Sequence, residues 1–479
     1  MSAPHCFGFY QRLKRRLALV TQTKAAKVRL RPLIRPINSM SEEQTTKPSS
    51  WLRHLSETDS PINITKELVA AGTTFLAMAY ITIVNPAILS DAGMDFGAVF
   101  VATCLAAALG SILMGLVGRL PVGLAPGMGQ NAFFSYVIVI GMGHPWQTAL
   151  GAVFISGVIF VVISIVPIRE WLINSIPMNL KRGISAGIGF FIGFIALQSA
   201  GIVEGNDATM VTLASVARPE TLFFLIGFTL TIILSARQVF GAIIMGILLA
   251  SLLGWATGIS EFGGLVSAPP SIAPVLFELD IRAALEVAFV PVILALLLVD
   301  VFDTAGTLVA VSQRAGLTDD KGNIKNLRGA LLADSSATML GSLLGTSSTT
   351  SYIESSAGVE AGGRTGLTAI LVGVFFLLAI FLAPLAQSVP PYATAAALLF
   401  VACIMVGSLA ELDWKDYTDF VPAVLGAMAM PLTFSIADGI GIAFISYALI
   451  RLGSWGRVMR ADIPIYVIAA LFLAKFIWL

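Results

Sequence analysis

Long apolar stretches follow one another along most of this chain and limit what it can fold into. Lys, Arg, Asp and Glu make up only 12% of its 479 residues, which is about half of their usual share in soluble domains. These charges gather in short segments between the apolar runs. A run of about 18 apolar residues is long enough to cross the hydrocarbon layer of a membrane, which is about 30 Å thick. The sequence therefore predicts an all-α protein that crosses the lipid bilayer many times.

Composition also excludes several classes of function. The net charge of +1 gives no reason to expect nucleic acid as a partner. The three cysteines and three histidines lie far apart, without the spacing of a metal site. No phosphate-binding glycine motif and no catalytic triad pattern stands out. We therefore expect no cofactor, no metal and no ATP-driven pumping from this chain.

Residues 1–65 form a basic and polar extension that we expect to be disordered. The first 40 residues contain nine Lys or Arg and no acid, and they lack an apolar core for a signal peptide. They could be a disordered basic arm, an organellar transit peptide or sequence upstream of the true start. The polar residues that follow Met40 favour the third interpretation.

Fourteen spans are predicted, in two sets of seven. The first set lies at 68–89, 96–118, 121–141, 147–167, 178–202, 219–235 and 239–257. The second lies at 284–310, 327–344, 346–362, 366–386, 390–409, 419–434 and 437–452, and a borderline apolar segment covers 462–479. Positive charges concentrate in alternate connections, which predicts an N-terminus in the cytoplasm of a protein in the cell membrane.

An odd number of spans in each half predicts an inverted repeat, as in many transporters. The sequence LGSIL at 109–113 ends the second span, and LGSLL at 340–344 ends its counterpart. Each is followed by a segment that would make a poor continuous helix, 121–131 and 345–354. Irregular backbone at membrane depth must be buried in protein or line a cavity, so these breaks indicate a central binding site. The alternative is that Gly and Pro only kink two helices.

Asp300 and Asp303 are acids within an apolar span. A charge at the membrane centre costs about 2.5–3.5 kcal/mol on insertion scales, so it needs a partner or a function. Helical spacing places Asp300, Asp303, Thr304 and Thr307 on one polar stripe. A position at a cytoplasmic helix end is the other interpretation, but about 13 apolar residues precede Asp300.

Glu354 stands in the second break, after Thr350 and Ser351. Ser351 and Glu354 have the spacing of a capping box that starts a half-helix. Such a half-helix would also point its positive end at the cavity, so capping and a direct role are compatible. Asn131 lies in the first break and could offer an amide donor and acceptor, or could serve as an N-cap.

Two carboxylates on facing elements suit a nucleobase, because a carboxylate accepts two parallel N–H bonds from the edge of a purine. A carboxyl group held away from water also binds a proton more readily, so one acid could carry a coupling proton. Asp300, Glu354 and Asn131 are therefore the candidate substrate-binding residues.

Four motifs in order resemble the hypoxanthine/adenine/guanine permease branch of the nucleobase–cation symporter-2 family, which includes xanthine and uracil permeases. They are AGTTFLAMAY at 71–80, APGMGQNAF at 125–133, VDVFDTAGT at 299–307, and YIESSAG at 352–358 with GGRTGLT at 362–368. The resemblance extends from about residue 66 to the C-terminus. Gln130 departs from it, because an aliphatic residue is expected before the Asn.

The resemblance implies a core domain of spans 1–4 and 8–11 (66–177 and 284–389) and a gate domain of spans 5–7 and 12–14 (178–283 and 390–479). It also implies short antiparallel strands in spans 3 and 10, proton-coupled uptake of purine nucleobases by an elevator-like motion, and a possible homodimer. Asp300 and Glu354 would bind the base with help from Asn131. Asp303 and Glu354 would serve coupling, and Thr304, Thr307, Thr350 and Ser351 would support the site.

Three alternatives were weighed against a purine carrier. A uracil or xanthine carrier would share the same fold. A sulfate- or bicarbonate-type anion carrier would show a basic residue or an empty helix N-terminus at the site, where this chain has acids. An intramembrane enzyme would need a nucleophile with a base, or a metal cluster, and neither is apparent, so we predict that the protein is not an enzyme.

Overall fold

Apolar runs form most of the helices of this chain, and several of these helices begin at a polar capping residue. The computed structural model describes residues 54–57, 62–165, 177–319, 323–455 and 463–478. The side chains of Asn63, Asp95, Asn326 and Thr365 each accept a hydrogen bond from a backbone N–H in the first turn of the helix that follows. Met40 and the rest of segment 1–53 lie outside the described residues.

The first half of the chain contains eight helices and three short strands in the described segments. They are α1 (Ile64–Met78), α2 (Ile81–Asp91), α3 (Phe96–Leu113), β1 (Leu124–Pro126), α4 (Met128–Ala132), α5 (Trp146–Ile165), α6 (Met178–Ser199), β2 (Val203–Asn206), β3 (Met210–Leu213), α7 (Pro219–Ala236) and α8 (Ala242–Thr257). Wider π-helical turns extend α3 through Met114–Gly118 and α4 through Phe133–Gly141.

The second half repeats this plan. Its described elements are α9 (Ile281–Ala284), a 3₁₀ turn at Val287–Phe289, α10 (Val290–Ala315), α11 (Leu327–Leu344), β4 (Thr349–Ser351), α12 (Ser355–Glu360), α13 (Gly366–Ala379), a 3₁₀ turn at Ile380–Leu382, α14 (Ala383–Gln387), α15 (Pro391–Val406), a 3₁₀ turn at Gly407–Glu411, α16 (Tyr417–Thr433), α17 (Ile436–Trp455) and α18 (Ile463–Trp478).

Each of the fourteen predicted spans coincides within a few residues with one or more of these elements. In the described part of the chain, nine helices are long and apolar enough to cross a membrane, and three further apolar helices are shorter. Spans 3 and 10 break into a strand followed by a helix, as the sequence predicts. The borderline segment at 462–479 corresponds to α18, which packs against α17.

The helix contacts show the predicted inverted repeat. α3 of span 2 packs on α13 of span 11, and their counterparts, α11 of span 9 and α5 of span 4, also pack on each other. The contact of α7 with α8 is repeated by α16 with α17, and that of α6 with α16 by α15 with α7. Each helix therefore has a counterpart that makes the equivalent contact in the other half.

The two halves meet at a pair of strands. β1 and β4 are antiparallel, with Leu124 opposite Ser351 and Pro126 opposite Thr349. Gly110 and Gly341, from the two repeated LGS sequences, both lie against this pair, because a Cβ on Gly110 would be 3.3 Å from Thr349 Cγ2 and one on Gly341 would be 2.8 Å from Thr349 Oγ1. The repeated glycines thus allow α3 and α11 to pass close to the strands.

The segment just before α1 also contacts the bundle. Leu55 is buried, and its carbonyl accepts a hydrogen bond from the backbone N–H of Gly366 at 2.8 Å. Glu57 forms an ion pair with Arg119 at 3.4 Å. This part of the predicted N-terminal extension is therefore packed against the connections that follow spans 2 and 10.

Gly366 provides a test of this packing. A Cβ added there would lie 2.0 Å from the carbonyl oxygen of Gly115, so Gly366→Ala should force α3 and α13 apart and cost about 1–3 kcal/mol of stability. The measurement is thermal unfolding of the purified protein together with its abundance in the membrane. Gly407→Ala is the control, because nothing lies within 4 Å of its added Cβ. Equal melting temperatures for the two variants would contradict the proposed close contact.

Candidate functional site

The site is built around the β1–β4 pair, whose six residues are all buried. Backbone bonds continue the pair at both ends, from Tyr352 N to Gly123 O at 3.0 Å and from Gly127 N to Ser348 O at 2.9 Å. Helices α4 and α12 start just beyond the strands. The pairing gives these irregular segments the internal hydrogen bonds that backbone at membrane depth requires.

Four acidic side chains from two helices and the β4–α12 connection converge here. Asp300 and Asp303 lie on α10, Asp334 lies on α11, and Glu354 directly precedes α12. Asp300 and Asp334 are fully buried, whereas Asp303 is exposed and Glu354 is partly exposed. In the described part of the chain none of these four acids forms an ion pair with Lys or Arg. A buried acid without a cation depends on hydrogen bonds for its stabilisation.

Asp334 receives those hydrogen bonds from residues of the predicted supporting set. Thr304 Oγ1 donates to Asp334 Oδ2 at 2.7 Å, and Ser351 Oγ donates to Asp334 Oδ1 at 2.9 Å. The hydroxyl of Thr350 lies 2.9 Å from that of Thr304. Thr307 is buried one turn further along α10. Asp334 therefore joins α10, α11 and β4.

Asp300 is held by two further side chains. Gln130 Nε2 donates to Asp300 Oδ1 at 3.0 Å, and Thr338 Oγ1 donates to Asp300 Oδ2 at 3.0 Å. Sequence reasoning missed both partners. Gln130 was the one position that departed from the expected motif, and this departure was the signal that could have identified it.

The capping box predicted for Ser351 and Glu354 is wrong. Helix α12 starts at Ser355, and Glu354, the residue before it, makes no side-chain capping bond. The hydroxyl of Ser351 is occupied by Asp334, so it cannot cap the helix. Glu354 Oε1 instead accepts a hydrogen bond from Tyr80 at 2.7 Å. Tyr80 lies at the break between α1 and α2, a break that the apolar pattern of span 1 does not reveal.

Asn131 lies within α4 and is not its N-cap. The helix starts at Met128, and Gly127 occupies the N-cap position. Asn131 is fully buried, and its Oδ1 accepts a hydrogen bond from the hydroxyl of Ser347 in the opposite half. Its Nδ2 has no hydrogen-bond partner among the described residues, so an amide donor remains available next to the strand pair.

Asp303 and Glu354 are the more accessible pair of acids. Asp303 projects from α10 one turn beyond Asp300 and, like Glu354, is not fully buried. Neither carboxyl group forms an ion pair with Lys or Arg among the described residues, so each can accept hydrogen bonds when ionised and can take up a proton. The arrangement can therefore bind N–H donors and exchange protons.

Comparison with known proteins identifies the family. Residues 65–472 match the Permease family model of xanthine/uracil permeases. The chain belongs to this permease family. The adenine permease AdeP of Escherichia coli is 46% identical over 413 residues, which cover 86% of this chain and 93% of the relative. The guanine/hypoxanthine permease PbuG of Bacillus subtilis is 43% identical over 425 residues, covering 86% and 96%.

Solved structures support the same fold. The transmembrane domain of the cyanobacterial bicarbonate transporter BicA superposes with a TM-score of 0.58 at 15% sequence identity and covers 85% of this chain and 97% of that domain. The predictions of a multi-pass transporter, of an inverted repeat with short antiparallel strands, and of a protein that is not an enzyme are confirmed.

Tyr80 offers a test of the site that the sequence did not suggest. Tyr80→Phe removes the hydroxyl that holds Glu354, a charge-assisted bond worth about 1.5–3 kcal/mol, so binding of the transported substrate should weaken by roughly 10-fold or more. Binding to purified protein measures this effect. The control is Tyr136→Phe, which removes a comparable bond to Asp91 away from the strands. A loss of similar size in both variants would show that Tyr80 has no special role.

Proposed function

We propose that this permease takes up purine nucleobases together with protons, and that Asp300, Glu354 and Asn131 bind the base. The observation that carries the proposal is the convergence of carboxyl groups from α10 and the β4–α12 connection at the strand pair, with no cation paired to them in the described residues. The names of the relatives, adenine permease and guanine/hypoxanthine permease, agree with it.

The chemistry of the site suits a nucleobase better than an anion. A carboxylate accepts N–H groups in pairs, and purines present ring N–H and amino groups along their edges. An inorganic anion would meet the carboxylates of Asp300 and Glu354, and no Lys or Arg is paired with them among the described residues. Electrostatic repulsion would therefore oppose its binding. This chain shares its fold with a bicarbonate transporter, but a shared fold does not imply a shared substrate, because the residues at the site decide what binds.

Proton coupling is assigned to Asp303 and Glu354. Both are more accessible than Asp300 and Asp334, and a proton on either would remove one negative charge from a site whose acids have no ion-pair partner among the described residues. The base would then bind a site whose charge has been reduced by that proton. Loading of the proton and of the base would therefore favour each other, which is the requirement for symport.

The transport movement is proposed to be elevator-like. All the site side chains come from spans 1, 3, 8, 9 and 10, which belong to the core domain that the sequence predicts, so the site would move as one unit against the gate spans 5–7 and 12–14.

We place the N-terminus in the cytoplasm and the protein in the cell membrane, from the distribution of positive charge. We also propose a homodimer, which the family resemblance implies.

The first test changes the acids while keeping their volume. Glu354→Gln and Asp300→Asn should each weaken purine binding by roughly 10- to 150-fold, because a charge-assisted bond of about 1.5–3 kcal/mol is lost. Asp303→Asn should keep most of the binding but lose concentrative uptake. Binding to purified variants is measured beside uptake in cells, with membrane abundance checked for each variant.

Glu278→Gln is the matched control, because Glu278 is exposed and lies outside the site. It should bind and transport like the unchanged protein. Normal binding and uptake in both Glu354→Gln and Asp300→Asn would contradict the proposed binding site. A loss of membrane abundance alone would show instead that the two acids serve packing.

The second test concerns the driving ion. Uptake into cells that lack their own purine carriers should rise with an imposed inward proton gradient and fall on addition of an uncoupler, because the site offers carboxyl groups for a proton. The same uptake is measured with and without sodium. Accumulation that survives the uncoupler and follows sodium would contradict proton coupling.

A further inference from the structure

We propose that Gln130 forms hydrogen bonds with the substrate and makes this permease prefer adenine over other purines. Adenine has an exocyclic 6-amino group, where hypoxanthine and guanine have an oxygen. The inference rests on the proposed function, because it takes the purine site at β1 and β4 as given. It assigns a role to a buried side chain that is not among the acids and the asparagine discussed above.

The orientation of the Gln130 amide is fixed by its neighbour. Its Nε2 donates to Asp300 Oδ1 at 3.0 Å, and an ionised carboxylate can only accept hydrogen bonds. The nitrogen end of the amide must therefore face Asp300. The oxygen end, Oε1, is left without a hydrogen-bond partner among the described residues, although the side chain is only 2% exposed.

A buried amide oxygen without a donor is rare in folded proteins and needs an explanation. Gly127 lies directly beside this atom. A Cβ on Gly127 would lie 2.5 Å from Gln130 Oε1 and 2.9 Å from Thr350 Cγ2. Gly127 has an ordinary φ of −77°, so its backbone conformation does not require glycine. What requires glycine here is the room for the amide beside Thr350.

The free groups of this amide match adenine. A glutamine amide carries two N–H groups, and Asp300 accepts only one of them. The second N–H and Oε1 form an adjacent donor and acceptor, which is the pairing by which Gln and Asn recognise the amino group and neighbouring ring nitrogen of adenine. Glu354 remains available to accept a ring N–H of the same base.

A 6-oxopurine fits this amide poorly. Hypoxanthine and guanine place a carbonyl oxygen where adenine has its amino group, so two acceptors would face each other at Oε1. Unsubstituted purine places no group there and leaves Oε1 unpaired. Asp300, which the proposed function places against the base, also holds the amide in the orientation that discriminates between these bases.

The test is isothermal titration of the purified full-length protein with adenine, unsubstituted purine and hypoxanthine. The unchanged protein should bind adenine about 10-fold more tightly than either of the others, since it gains one or two neutral hydrogen bonds. Gln130→Leu, which is similar in size and apolar, should weaken adenine binding about 10-fold more than it weakens the binding of unsubstituted purine, because only adenine loses the bond to Oε1. Gln313→Leu is the control, because Gln313 is exposed near the end of α10.

The outcomes separate this inference from the proposed function. Equal affinity of the unchanged protein for adenine and unsubstituted purine would overturn it without any variant, even if Gln130→Leu fails to fold. An equal loss for all three bases in Gln130→Leu would also overturn it, by showing a structural role. If no base binds the unchanged protein, the proposed function fails and this inference fails with it. If bases bind but Gln130→Leu keeps the preference for adenine, only this inference fails.

Discussion

The hydrogen bonding of two short irregular segments inside the membrane is the constraint on which the rest of this structure depends. Backbone N–H and C=O groups cannot be left unpaired in hydrocarbon, and a single three-residue strand has no partner of its own. β1 and β4 pair with each other, Ala125 opposite Thr350. Because the strands come from corresponding spans of the two halves and run antiparallel, the halves must be inserted in opposite orientations. The candidate site therefore lies at the point where the repeats meet.

A second constraint follows from placing acids beside that pair. In the described residues, Asp300 and Asp334 have no cationic partner, so hydroxyl and amide groups must stabilise them. The donors come from different elements: Gln130 from α4, Thr304 from α10 and Ser351 from β4. The same bonds that satisfy the acids thus hold the strands and helices of the site together. Binding chemistry and local stability are consequently not separable at these positions.

The sequence predicts the spans, the repeat and the acids because each leaves a local signal. Apolar length predicts the spans, the two breaks predict the strand regions, and an acid such as Asp300 inside an apolar run stands out by its cost. The partners of those acids leave no such signal. Tyr80 reaches Glu354 across 274 positions of sequence, and Gln130 reaches Asp300 across 170. Such contacts form only in the tertiary fold, so the spacing of residues along the chain does not predict them.

The errors have the same origin. The spacing of Ser351 and Glu354 fits a capping box, but a buried acid on another helix, Asp334, competes for the Ser351 hydroxyl and takes it. For Asn131, capping was one of two interpretations, and it is excluded because Gly127 fills the N-cap position and the helix begins at Met128. In both cases a local rule was applied where a long-range contact has the larger effect, which is expected at a functional site.

In the proposed elevator movement, acids without a paired cation also give a physical reason why transport of the base would be coupled to transport of a proton. A charge at the membrane centre costs about 2.5–3.5 kcal/mol on insertion scales, and a core that carries ionised Asp303 and Glu354 past the gate helices would bear that cost. The boundary is tight, because a Cβ on Gly129 of α4 would lie 2.6 Å from Ile188 Cγ2 of α6, so little water can accompany the acids at this contact. A proton removes one charge, and a base that donates N–H bonds compensates the other. The loaded core is then cheaper to move than the empty, ionised one, and this difference would link the proton to the substrate.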